Sequence, residues 1–325
     1  MRVLGRRIVF YIITALAAIT VDFFIPRMMP GNPVEAILAR LQGQITAGTI
    51  KSLETQFGVG TKQSVMSQYL HYLNNILHGN FGISTGYYPS TVTSVIKGAL
   101  PWTLALVGTA TVISFILGTI LGAMVAWRRG SWMDQLLPAM TFFQAAPYFF
   151  IAFLALELFA VKLGWFPTGR AYNQLDFPGW NLSYAGDVIS HAVLPALTIV
   201  VCSAAGWIVG MRNVMVTTMD EDYVLVAQAK GLGKRRVVWY AARNAILPSV
   251  SGFAIAIGFV VSGALLTEIV FSYPGIGWIL LQAVNNRDYP LLQGIFLIIT
   301  FAVLAANLIA DTVYVLLDPR TRQEA

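Results

Sequence analysis

The chain has 325 residues, 57% of them apolar and 11% charged, with a formal net charge of +6 and a mean hydropathy of +0.68. Soluble domains carry about a quarter charged residues, so a large soluble enzyme is excluded. The single cysteine, Cys202, and three scattered histidines, His71, His78 and His191, supply neither a disulfide framework nor a cluster of metal ligands.

A helix needs about 20 apolar residues to cross a bilayer. Six stretches meet that length: residues 8–25, 102–127, 136–161, 193–211, 250–271 and 291–317. The first follows arginines, as a secretory signal does. It is long, carries Asp22 and runs into FFIPRMMPGNP without a small-x-small cleavage site, so it is expected to remain as the first helix. Residues 26–101 then form a long segment outside the spans. Within it Val65, Tyr69, Leu70, Leu73, Ile76 and Leu77 recur at helical spacing and predict an amphipathic helix lying on the membrane or packed on the bundle.

The spans carry small residues four apart, Gly118 with Gly122 and Gly206 with Gly210, a spacing that lets helix backbones approach closely. Pro138, Pro147 and Pro195 are expected to bend spans where neighbours satisfy the freed carbonyls. Residues 162–190 are rich in aromatics, Pro and Gly (GWFPTGRAYNQLDFPGW), as suits an interfacial loop. Asp22, Glu157, Glu268 and Asp311 fall within spans. A carboxylate at the bilayer centre costs roughly 2.5–3.5 kcal/mol and so faces protein or water. Interhelix hydrogen bonding and a proton relay are the two readings of these acids.

Basic residues set the orientation. With the N-terminus inside, the cytoplasmic pieces hold Arg2, Arg6, Arg7, Arg128, Arg129, Arg212, Lys230, Lys234, Arg235, Arg236, Arg243, Arg320 and Arg322, which is 13 of the 21 basic residues in the shorter half of the connecting sequence. Both termini are therefore expected inside. The positive charge is a topology signal, and nucleic-acid binding drops out.

The most polar cytoplasmic piece is 212–248, RNVMVTTMDEDYVLVAQAKGLGKRRVVWYAARNAILP. Asp220, Glu221 and Asp222 precede a short helix that ends near Lys230, an arrangement that suits the helix dipole. Gly231 and Gly233 are placed to stop it, and a second helix over 234–245 leads to Pro248 and the fifth span. Val224, Leu225, Ala227 and Leu232 are expected to be exposed on the short helix. Such a helix either fills a groove on another protein or lies on the lipid headgroups.

At DYVLVAQAKGL the chain resembles the inner-membrane permeases of binding-protein-dependent ABC importers, and within them the dipeptide/oligopeptide type. The family's cytoplasmic motif is glutamate-alanine-alanine followed by a glycine and later Leu-Pro. Ala227, Gly231, Leu247 and Pro248 match it, while Leu225 and Val226 stand where the glutamate and first alanine would fall. MPGNPV, HGNFGIS, LPWTLAL, RRGSWMDQ, FAVKLGWFP and, most specific, FSYPGIGWILLQAVNNRDYPLLQG extend the resemblance over nearly the whole chain.

The resemblance implies an all-α, polytopic membrane helix bundle of six transmembrane helices with a type I ABC importer permease fold, N-in and C-in. The implied organisation is a cytoplasmic N-terminus with the first helix (1–25), an extracellular segment (26–101), a five-helix permease core (102–317) containing the coupling segment 212–248, and a cytoplasmic tail (318–325). It assigns docking onto an ATPase to Asp222, Tyr223, Leu225, Ala227, Ala229, Lys230, Gly231 and Leu232. The implied partners are a second homologous permease, two ABC ATPases, an extracellular or periplasmic solute-binding protein and membrane lipids. The implied location is the inner or plasma membrane of a prokaryote.

The residues agree with that assignment on one point. No GxxxxGK[ST] phosphate loop occurs, and FGVGTKQS has the wrong spacing and lies outside. An ATP-driven system would therefore hold ATP and Mg on partner subunits and no cofactor on this chain. Two rivals remain. A proton-coupled secondary transporter predicts inverted repeats, for which no half-to-half similarity is visible. An intramembrane enzyme built on Ser84 and His191 lacks a motif joining the two. The resemblance implies peptide cargo, with nickel complexes and oligosaccharides carried elsewhere in the subfamily; GYYPSTV and HAVLPALTIVVCSAAGWIVGMRNVM lean toward oligosaccharides.

Overall fold

The computed structural model describes residues 2–28, 64–173, 181–261 and 264–317, with isolated positions 48, 51 and 179. The MPGNPV stretch, all but the last residue of FGVGTKQS, and the tail 318–325 lie outside the described residues. Among the described residues the regular structure is helical, apart from an isolated bridge between Ile83 and Thr91. In chain order the helices are α1 (Arg2–Met28), α2 (Val65–Leu77), α3 (Val92–Thr103), a π-helical turn (Leu104–Gly108), α4 (Thr109–Trp127), α5 (Trp132–Gln135), α6 (Leu137–Ala145), α7 (Tyr148–Ala155), a second π-helical segment (Leu156–Lys162) and α8 (Leu182–Met219). They continue with α9 (Asp222–Ala229), α10 (Lys234–Ala245), α11 (Leu247–Phe259), α12 (Leu265–Val270), α13 (Ile276–Asn285) and α14 (Tyr289–Leu317).

Four helical runs are long and apolar enough to cross a membrane, Arg7–Ile25, Val92–Trp127, Leu182–Met219 and Tyr289–Ile309. Two bent pairs, α5–α6 with α7 and its π-segment, and α10 with α11, raise the number to as many as six if each counts as one span. The expected spans are thus recognisable, with three corrections. The second begins at Val92, ten residues before the apolar run, and contains Pro101. The third is bent by 100° between Ala145 and Tyr148. Pro147 forces this break, because the residue before a proline is pushed out of the helical region, and Ala146 sits at ψ 133°. The fifth stops at Phe259, and its last expected residues belong to the separate α12.

The described chain divides into two compact units, Met1–Pro101 with Trp278–Leu304, and Trp102–Gly277 with Ala305–Ala325. In the first, α2 packs on α1. The Tyr72 hydroxyl donates to Asp22 Oδ2 at 2.7 Å, Tyr69 and Thr20 hydroxyls meet at 2.7 Å, and Phe23 lies edge-on to Tyr69. Asp22 therefore makes an interhelix hydrogen bond. Asp288, fully buried, gathers the 84–91 loop by accepting from the Ser84 hydroxyl and from Gly86 N–H at 2.8 Å. Burial and the Asp288 charge together push the nearby Tyr87 phenol up from its usual range.

The second unit is organised by α4 lying along α8. A Cβ on Gly122 would stand 2.6 Å from the Ile208 carbonyl oxygen and 2.9 Å from Met211 Cβ, and one on Gly118 would overlap Trp207. The Gly206–Gly210 pair brings no helix backbones together: Gly206 is in ordinary contact with the Gln144 side chain and Gly210 has open space around it. That face of α8 is turned away from α4, toward a cavity.

Candidate functional site

The polar segment after α8 is a helix-turn-helix fixed by its own backbone. α9 opens at Glu221, whose carbonyl accepts from Val224 N–H at 2.9 Å and Leu225 N–H at 3.2 Å, with Asp222 in the first turn. It closes on Gly231 at φ +73°, with Gly231 N–H bonded to the Gln228 carbonyl at 2.9 Å and Leu232 N–H to Ala227 at 3.3 Å. This pair of bonds is the Schellman motif, in which a left-handed residue returns the chain and satisfies the last carbonyls. Leu232 then packs against the apolar cluster, as that motif favours.

One face of α9 holds it to the unit and the other is free. Val224 and Ala227, three residues apart, are buried with Ala126, Met211, Met215, Val237, Ala241 and Ala245. The expectation that Val224, Ala227 and Leu232 would be exposed is therefore corrected: they face the chain's own core. Tyr223, Leu225 and Val226 point outward at 36%, 50% and 52% exposure. Asp222, Ala229, Lys230 and Gly231 are also exposed. Beneath the segment, Arg212 on α8 pairs with Asp134 of α5 at 3.0 Å, and Asp134 also accepts from Gly130 N–H at 3.1 Å. Arg129 donates to the Val216 carbonyl at 2.6 Å and lies 3.6 Å from the exposed Asp220 carboxylate. These contacts fasten the α4–α5 turn to the end of α8.

A cavity of about 490 Å³ opens at the break between α6 and α7, lined among others by Thr111, Gln144, Tyr148, Cys202, Ser203 and Trp207. Its polar groups carry no formal charge. Tyr148 and Ser203 hydroxyls are 3.3 Å apart, and the π-helical turn contributes Val107 to the wall. Irregular backbone at membrane depth survives where it is buried or lines a water-filled cavity, and here the irregular backbone and the cavity coincide. Sequence reasoning assigns these residues no site, although Cys202, Ser203 and Trp207 fall within the stretch that leans toward oligosaccharides. The available signal was Gln144 three residues before Pro147, a polar group beside a helix breaker within an apolar run.

The FSYPGIG stretch folds around Glu268. This carboxylate is fully buried and accepts from Gly277 N–H at 2.6 Å, while Ile276 N–H donates to the Thr103 hydroxyl at 2.7 Å. A side chain on Gly275 would overlap the carboxylate, and a Cβ on Gly277 would stand 2.6 Å from the Leu265 carbonyl. Burial, with the Glu268 charge adding to it, pushes the Tyr273 phenol up to about 12. Glu268 thus holds a turn within its own segment and also meets the Thr103 hydroxyl at the end of α3. Glu157 lies 3.7 Å from Lys162 at a half-exposed surface, where an ion pair contributes little.

Apolar helices of spanning length, an uncharged cavity and a helix-turn-helix beyond the end of α8 define a multi-pass membrane protein. Residues 118–323 match the model of the binding-protein-dependent transport system inner membrane component. A putative peptide permease protein of Brucella suis is 33% identical over 310 residues, covering 94% of this chain and 95% of that protein. A di/tripeptide transport system permease protein of Pseudomonas aeruginosa is 32% identical, covering 99% and 98%. An oligopeptide transport system permease protein of Bacillus subtilis is 30% identical, covering 97% of each chain. The chain belongs to the family of binding-protein-dependent transport system inner membrane components.

Proposed function

We propose that this chain is one of two permease subunits of an ATP-driven importer of oligopeptides. The peptide-transport names of relatives that match it end to end support that cargo. The oligosaccharide lean of the 86–92 loop and of residues 191–215, which lie within α8, has no counterpart among these names. The chain crosses the membrane six times with both termini in the cytoplasm, each bent pair counting as one span; the distribution of basic residues supports this orientation. An extracellular binding protein delivers cargo to a pore shared with a second, homologous permease. The cavity at the α6–α7 break contributes to its wall.

α9 and its turn dock into the ATPase. The observation that carries this role is the division of α9 into an anchored and a free face. Val224 and Ala227 tie the helix to α8 and α10, so force applied to Tyr223, Leu225 and Val226 reaches the spans. Two ATPase subunits hold ATP and Mg. Their closure turns the pore outward, and hydrolysis with ADP release returns it inward.

A cysteine at Leu225 in the assembled complex tests the docking. It should form a disulfide with a cysteine scanned along the ATPase surface, and that crosslink should stop ATP-driven peptide uptake. Failure at every scanned position, with an intact complex, would refute the docking role. Competition for uptake of a labelled tripeptide by unlabelled peptides, and by cello-oligosaccharides, tests the cargo. Competition by the sugars alone would move it to the oligosaccharide branch.

A further inference from the structure

The outer face of α10 is built unlike its buried face. Val237, Ala241 and Ala245 enter the apolar cluster, and Val238, Ala242 and Ile246, packed at its edge, join Arg235, Trp239 and Arg243 in lining a groove of about 510 Å³ against α4. These six form two adjacent rows, Arg235, Trp239 and Arg243 at steps of four and Val238, Ala242 and Ile246 at steps of four, which together make one stripe along α10. The opposite wall is α4 from Thr119 to Trp127, followed by Arg128. From Thr119 to Trp127 the helix rises about 12 Å, eight steps of 1.5 Å, so the groove runs from the span's end well into its apolar length. Its floor is hydrocarbon and its mouth carries three arginines and two tryptophans.

Of the acids at this end, Asp134 pairs with Arg212 and Asp220 faces Arg129, while Glu221 and Asp222 are exposed. Among the described residues Arg128, Arg235 and Arg243 have no ion pair, and all three are exposed. Trp239 is 70% exposed although it sits on an apolar stripe. Tryptophan in that position belongs to the membrane interface, and basic clusters flanking apolar spans attract anionic headgroups. Thr119 and Ile120 lie inside the apolar spanning run Val92–Trp127, so a water-soluble partner that reaches the arginines does not fill this part of the groove.

We propose that this groove is a binding site for an anionic diacyl phospholipid of the cytoplasmic leaflet. Its phosphate sits among Arg128, Arg235 and Arg243, and an acyl chain lies along Ile120, Met124 and Val238. The leaflet assignment rests on the orientation given under Proposed function; the ligand class rests on the groove alone. Because α10 carries both this stripe and part of the cluster that seats α9, the lipid braces the base of the docking helix from the membrane side.

The test uses the assembled transporter in phosphatidylcholine nanodiscs doped with photoactivatable phosphatidylglycerol, with crosslinks mapped by mass spectrometry. Crosslinks are expected on 119–127 and 235–246. Each arginine near an anionic surface contributes about a fivefold preference, so R128Q/R235Q/R243Q should reduce crosslinking about 100-fold. Ala123→Trp, which fills the groove and leaves the charges, should also abolish it and stands as the second variant if the triple variant does not assemble. Equal crosslinking by a photoactivatable phosphatidylcholine, or displacement by inorganic phosphate, would overturn the proposal. A photocrosslinker at Trp239 that traps an ATPase or a permease in place of lipid would overturn it as well. Labelling of Lys234→Cys by an impermeant maleimide in vesicles of known sidedness reports the orientation separately, so an inverted chain and an empty groove give different results.

Discussion

Gly231 offers the sharpest test of the docking helix, because its effect must be conformational. The residue sits at φ +73°, and no heavy atom lies within 4 Å of the place a Cβ would occupy. Substitution therefore meets no steric obstacle and changes only the backbone's preference. An alanine in the left-handed region costs about 1–2 kcal/mol. A β-branched residue is worse placed there, and strained backbone positions cost of order 1–3 kcal/mol. Asparagine enters this region with little penalty. At about 1.4 kcal/mol per tenfold, Gly231→Ala should lower the equilibrium constant for the capped turn roughly tenfold and Gly231→Val further, while Gly231→Asn stays near the parent. The assay is the quantity of ATPase retained on the purified permease, together with ATP hydrolysis stimulated by the binding protein. The order Asn, Ala, Val should appear in both, and the permease's own melting temperature should hardly move because the site is exposed. If valine were as harmless as asparagine, the Schellman cap would not be what presents α9.

Three further outcomes are expected. Gly122→Leu should destabilise the permease by about 1–3 kcal/mol through overpacking, read as a lower melting temperature in detergent, whereas Gly210→Ala, with open space around it, should be neutral. Asp134→Ala and Arg212→Ala should each leave a half-buried partner uncompensated. A double-mutant cycle should return a coupling of about 1–2 kcal/mol, and strict additivity would contradict the pairing. Glu268→Gln should retain uptake at matched expression, since an amide oxygen can accept from Gly277 N–H, and Glu268→Ala should lose fold stability. Glutamine as inactive as alanine would instead show that this carboxylate must titrate or stay charged.

Spans, family and the helix-turn-helix were legible because each depends on local chemistry. Apolar runs set the spans to within a few residues at Trp127 and Leu317, and a glycine following Lys230 is a strong stop for any helix. The shape of the third and fifth spans was less legible. Pro147 announced a bend, but a proline in a span gives anything from a gentle curve to a reversal, and the 100° value depends on what packs against each half. Glu268 and Asp288 illustrate the same limit. As sequence, Glu268 is an acid in an apolar stretch and Asp288 follows an arginine in a turn; their meaning lies in the backbone N–H groups they face.

The sequence by itself determined that this chain is a multi-span membrane component with a short polar helix-turn-helix between spans and without a phosphate loop of its own. These are properties of composition, charge distribution and short motifs, which persist whatever the helices touch. Only the tertiary structure decided which face of α9 is free, which glycines hold helices together, and where the cavity and the arginine-rimmed groove lie. Val224 and Leu225 are neighbours of nearly equal hydrophobicity, yet one is fully buried and the other half exposed. That difference comes from the side on which α8 and α10 pass, which is long-range packing that no local pattern encodes.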